Sequence, residues 1–173
     1  QGLVLLALLV CAVGAPVGFV AGATRSDRGL VWTRWLALTF AALMIAANLV
    51  MEVALLTHDF SVSYVAQVGS LSTPWHITAV SLWSSLEGSI LFWGLILGVF
   101  TAGVTILQRR GHSDYLAYTL ATLLSVGLFF SLLIAGPANP FAAVTGPIPA
   151  DGPGPNPLLQ NHVLMIIHPP MLY

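Results

Sequence analysis

His168 directly precedes Pro169-Pro170. A residue before proline is pushed out of the helical region. The two prolines also withdraw two backbone N–H donors and leave upstream carbonyls unpaired. A histidine at such a break projects from irregular backbone, where its neutral imidazole suits an axial position on haem iron. The alternative is an interfacial histidine hydrogen-bonded to loop backbone, the commoner fate of such residues. The remaining histidines, His58, His76, His112 and His162, share no close metal-ligand spacing, and no zinc, P-loop or hydrolase motif is present. Cys11 stands alone in an apolar run, so the chain carries neither a dithiol pair nor a C-x-x-C-H for covalent haem attachment to itself.

Two carboxylates fall in or beside apolar runs. In Ser84-Ser85-Leu86-Glu87-Gly88-Ser89, Ser84 and Glu87 have capping-box spacing, and Glu87 sits at the positive end of a helix dipole. A proton or substrate contact is the functional alternative for Glu87. Glu52 lies about a turn and a half inside an apolar run, free to snorkel outward or face a bundle interior, and a pairing with His58 has no support in the sequence. Trp32 and Trp35 read as an interfacial belt. Trp75 and Trp83 read either as a second belt or as aromatics that stack on a flat cofactor.

The elements that must position these residues are membrane spans. Apolar residues make up 57% of the chain and charged ones 6%, with no lysine, where soluble domains carry about a quarter charged residues. A net charge of −1 offers nothing to nucleic acid. Four runs are long enough to cross a bilayer as helices, at about 2–23, 35–56, 85–108 and 115–136. They are continuously apolar rather than alternating, which excludes a porin-like barrel. A short helix is expected over 157–167, after Asn156-Pro157 as N-cap and first helical position, with a break at Pro169-Pro170. A truncated fifth span would start near 169. The fold class is all-α, a polytopic integral membrane bundle, and the missing Met at Gln1 and the cut-off fifth span mark part of a longer protein. Gly94 and Gly98 form a G-x-x-x-G packing face, and Pro16 between Gly14 and Gly18 is placed to kink the first span.

All five arginines fall in two alternate connections: Arg25, Arg28 and Arg34, then Arg109 and Arg110. The positive-inside bias puts these in the cytoplasm, with the N-terminus, 57–84, 137–161 and His168 at the outer face.

The order of motifs resembles the N-terminal part of CcmF-type cytochrome c haem lyase subunits, related to the NrfE and CcsA assembly proteins. The matching pieces are Asp59-Phe60-Ser61-Val62-Ser63-Tyr64-Val65-Ala66, Trp83 with Glu87-Gly88-Ser89, Asn139-Pro140-Phe141, Asn156-Pro157-Leu158-Leu159-Gln160, and His168-Pro169-Pro170-Met171-Leu172-Tyr173. Where the family reads Trp-Gly-x-His/Gln-Glu-Gly-Ser, this chain has Ser84 and Leu86 at the Gly and His/Gln positions.

The resemblance implies a haem chaperone in the inner (cytoplasmic) membrane of a bacterium. It would present haem b at the outer, periplasmic face for thioether attachment to the C-x-x-C-H of an apocytochrome c. It implies His168 as one of two outer axial ligands to the delivered haem; Trp75 and Trp83, on the same side as His168, are the candidate haem-side aromatics if the stacking reading above holds. Implied partners are a haem-loaded chaperone, thiol-reducing maturation subunits, the apocytochrome and membrane lipid. The tryptophan-rich segment, the second outer histidine and the pair holding a second, buried haem b would lie farther along, so this stretch alone is not expected to act as a lyase. Two other readings remain: a transporter or proton-coupled subunit with Glu52 and Glu87 on an ion path, and a scaffold that docks maturation subunits.

Overall fold

A computed structural model describes residues 1–108, 113–157, 159 and 164–171. Four long helices dominate: α1 (Gly2–Thr24), α2 (Asp27–Leu56), α5 (Leu86–Leu107) and α6 (Ser113–Ala135), with two short helices between α2 and α5, α3 (Ser63–Val68) and α4 (Trp75–Val80). A 3-10 turn, Ser81–Trp83, leads into α5, and a further helix, α7, spans Leu164–Met171. All four long helices are long and apolar enough to cross a membrane, and no strand occurs among the described residues. The chain is an all-α integral membrane protein.

Around the bundle the order is α1, α2, α5, α6, with α1 wedged between α2 and α6 and the diagonal bridged by α2 against α6. Small residues permit this approach. A side chain at Gly18 of α1 would press on Ala121 of α6 and Thr33 of α2 within 3 Å. Gly94 and Gly98 likewise face Met44 and Ala41 of α2, the close packing expected of the G-x-x-x-G. Outward-facing Leu9, Val20, Leu49, Val53, Phe100 and Phe129 are exposed and present an apolar surface suited to lipid. Proline is tolerated inside α1, which runs unbroken through Pro16.

The second span begins at Asp27, earlier than the apolar run that starts at Trp35. Its start is set by local chemistry instead. Arg25 adopts the left-handed conformation (φ 50°) that closes α1, with the Ser26 N–H on the Ala21 carbonyl. Ser26 then caps α2 through its side chain, accepting from the Gly29 N–H at 3.2 Å. One two-residue connection therefore ends one span and starts the next.

Asn48 lies deep in α2, 4% exposed, and donates its amide to the Leu91 carbonyl of α5 at 3.2 Å and to Met44 at 2.9 Å. Such bonds hold helices together where burial in lipid gives no preference.

Candidate functional site

The two ends of the bundle differ. At one end Arg34 of α2 donates to the carbonyl of Gln108, the C-cap of α5, at 2.8 Å. Arg109, Arg110 and His112 lie outside the described residues. The other end is built from the segments singled out in the sequence.

There α2 closes with His58 in the left-handed conformation (φ 55°) and the Asp59 N–H on the Ala54 carbonyl at 2.9 Å. Asp59 then accepts from the Ser61 N–H and hydroxyl, a tight turn that releases the chain in extended form. Val62 pairs antiparallel with Ala143: the Ser63 N–H donates to Ala142 at 2.8 Å and the Val144 N–H to Ser61 at 3.0 Å. Asn139 fixes the start of that second segment by accepting the Phe141 N–H at 3.0 Å.

The Pro/Gly-rich loop is clipped on by Asp151. Its carboxylate accepts from the Leu71 and Gly152 N–H groups, both at 2.8 Å, and from the Ser70 hydroxyl at 3.4 Å. The Leu71 N–H first, then the Gly152 N–H, the Ser70 hydroxyl and nearby His58, hold the carboxyl below its ordinary pKa. The His58 ring meets the Ser70 carbonyl at 3.2 Å, so it turns to the loop rather than to Glu52.

The turn before α5 is held from several sides. Buried Tyr64 directs its hydroxyl to the Ser81 and Leu82 carbonyls at 2.9 and 3.0 Å. The Ser89 hydroxyl donates to the Trp83 carbonyl at 3.0 Å. Gly88 is obligatory, because a Cβ there would collide with the Leu82 carbonyl and the Tyr64 ring.

The expected capping box does not form. Ser85, not Ser84, is the N-cap of α5, and it makes no side-chain cap bond. The Ser84 hydroxyl is drawn into the preceding 3-10 turn, donating to Ser81 at 2.8 Å, while the Glu87 carboxylate faces the Ser85 hydroxyl at 3.4 Å.

A second expectation also fails. The helix does not break at Pro169-Pro170: α7 runs from Leu164 through both prolines to Met171, with His168 in its backbone. Pro170 supplies no N–H for the carbonyl four residues earlier, at Ile166. The Trp83 indole supplies one instead, Nε1 donating to the Ile166 carbonyl at 3.0 Å. The Trp83 ring packs on Phe92, centroids 5.0 Å apart. Trp75, by contrast, is 76% exposed and contacts His76 edge to face. Of the expected helix over 157–167, Leu158, 160–163 and hence His162 lie outside the described residues, as does the side chain of His168.

Asn48, Tyr64 as an anchor and the Asp151 clip carry no signature in the sequence. Pro170 alone announced a need for a foreign donor, though not which one. No group of three or more metal-ligating side chains is found among the described residues.

Four membrane-length helices, with one end of the bundle assembled from the connecting segments, define a polytopic helical membrane protein. No family model matches the chain. It is 38% identical over 176 residues to the cytochrome c-type biogenesis protein CcmF of Pseudomonas aeruginosa, covering 98% of this chain and 26% of that protein. To the CcmF of Escherichia coli K12 it is 35% identical over 153 residues, 88% and 24% of the two chains. The solved structure of a cytochrome c haem lyase CcmF aligns with 99% of this chain and 26% of its own, at a TM-score of 0.82 and 32% identity. The chain thus spans about a quarter of the length of these relatives. It belongs to the CcmF family of cytochrome c-type biogenesis proteins.

Proposed function

We propose that this chain forms part of a haem-presenting membrane protein for cytochrome c maturation, with His168 as one axial ligand to the haem b being delivered. One observation carries the reading: four separate motif segments, around Asp59, Trp83, Asn139 and His168, are joined through hydrogen bonds or packing at the end of the bundle opposite the arginines. The names of the relatives support the pathway. Arginine placement supports a cytoplasmic arginine end and a periplasmic motif end in a bacterial inner membrane.

In this reading haem is the substrate, and the chain's residues hold and orient it. The His168 imidazole supplies a neutral nitrogen donor to iron. Trp75, exposed at the same end, is free to lie against the porphyrin face, and Trp83 bonds to the helix that carries His168. The apocytochrome's two cysteine thiols then add across the haem vinyl groups, each S–H adding over one C=C without net electron transfer. A haem-loaded chaperone and thiol-reducing subunits are the partners this sequence of events requires. A second, buried haem would be held by residues outside this stretch.

The test is the Soret spectrum of the full-length purified protein. His168→Ala should shift or weaken the band and lower holocytochrome yield. An unchanged band with undiminished yield would remove His168 from the site.

A further inference from the structure

We propose that Trp83 is a positioning residue for His168, supplying from outside the helix the hydrogen bond that Pro170 removes. This rests on the reading of His168 as the haem ligand.

An α-helix containing Pro169-Pro170 loses the donors for the carbonyls of residues 165 and 166. Exposed to water these carbonyls could be solvated, but in or near a membrane an unpaired carbonyl is costly and a proline-containing helix is held by donors from neighbouring elements. The Trp83 Nε1–H occupies the place of the missing Pro170 donor, 3.0 Å from the Ile166 carbonyl. Ile166 lies two residues from His168 on the same helix, so fixing its carbonyl fixes the height and rotation of the backbone that presents the imidazole.

The donor is itself immobilised independently of α7. The Trp83 carbonyl is held by Ser89 of α5 at 3.0 Å, the two preceding carbonyls by Tyr64 of α3, and the indole by the Phe92 ring. The bond therefore ties the helix bearing His168 to the frame of the bundle. Tryptophan suits the task because its indole has one donor and no acceptor, on a rigid arm long enough to reach out of the turn.

The decisive comparison is Trp83→Phe, which keeps an aromatic ring and removes the N–H, against Trp83→Phe combined with Pro170→Ala, which restores a backbone N–H to Ile166. Both are made in the full-length protein and titrated with haemin, with His168→Ala alongside. Losing one net hydrogen bond should weaken haemin affinity about 2- to 12-fold in Trp83→Phe, and the double variant should recover most of it. Deuterium uptake over residues 164–171 of the haem-free protein should rise in the single variant and fall back in the double. Unchanged uptake in Trp83→Phe overturns the tether. A haemin defect that Pro170→Ala does not repair overturns it too, and assigns Trp83 to the haem face. Restored uptake without any haemin effect, while His168→Ala still has one, overturns the positioning role. If His168→Ala has no effect, the haem-ligand reading and the positioning role fall together, and uptake alone decides whether the tether exists.

Discussion

The Tyr64 hydroxyl and the α-carbon of Gly88 share one tight space: the phenol reaches the Ser81 and Leu82 carbonyls across the point where a side chain at residue 88 would stand. Helix propensity alone would have Gly88→Ala stabilise α5 by about 1 kcal/mol. The collision with backbone and ring reverses the sign, since overpacking a filled site costs about 1–3 kcal/mol. Gly88→Ala should therefore lower thermal stability in detergent. Tyr64→Phe, which keeps the ring, should lose about 1 kcal/mol by the same measurement. A neutral or stabilising Gly88→Ala would show that the turn can move.

Asn48 makes a second test. Asn48→Ala deletes the bond to Leu91 without adding bulk, so, beyond the small cavity it leaves, the α2–α5 contact should weaken by about 0.6 kcal/mol and by no more than about 1.7. Unfolding titrations in mixed micelles can resolve that range. A larger loss would mean that the Asn48 carbonyl oxygen, which lacks a hydrogen-bond partner among the described residues, has a role of its own.

The Asp151 clip predicts a pH dependence with a definite sign. Its folded-state pKa lies below the ordinary value, near 3.9 for aspartate. The clip is thus fully present above that unfolded value and is lost as pH falls through the folded one. Hydrogen exchange at the Leu71 amide, corrected for intrinsic rate, should stay slow from neutral pH down to about 4 and quicken below it. In Asp151→Asn the amide should exchange faster at neutral pH and the acid transition should disappear.

Orientation is open to direct labelling, because the lone cysteine, Cys11, is fully buried. A membrane-impermeant maleimide should modify Ile148→Cys in intact spheroplasts and Gln108→Cys only after lysis. The opposite pattern would invert the proposed topology.

Much of this was legible in the residues because membrane spans are local objects. Continuous apolar runs gave four spans, and Gly94 and Gly98 gave a packing face that α2 fills. The errors arose where a partner distant in sequence decides the outcome. Ser84 has the right spacing to cap α5, yet the 3-10 turn before it captures its hydroxyl. Pro169-Pro170 has the composition of a break, yet Trp83, 83 residues before Ile166, supplies the donor the helix needs. The start of α2 was hidden for a different reason: Ser26, Asp27 and Arg28 are polar, so hydropathy discards residues that the N-cap keeps in the helix.

The pairing of Val62 with Ala143 has a consequence for biogenesis. Its two strands of backbone lie on either side of α5 and α6, so during synthesis the first waits for the second until both later spans have crossed the bilayer. The early hairpin of α1 and α2 can close beforehand through its own small-residue contacts. The motif end cannot. A newly made chain would therefore hold the backbone of Ser61 and Ser63 without its final partners until the loop after α6 arrives. Insertion order itself thus delays completion of the face that carries His168.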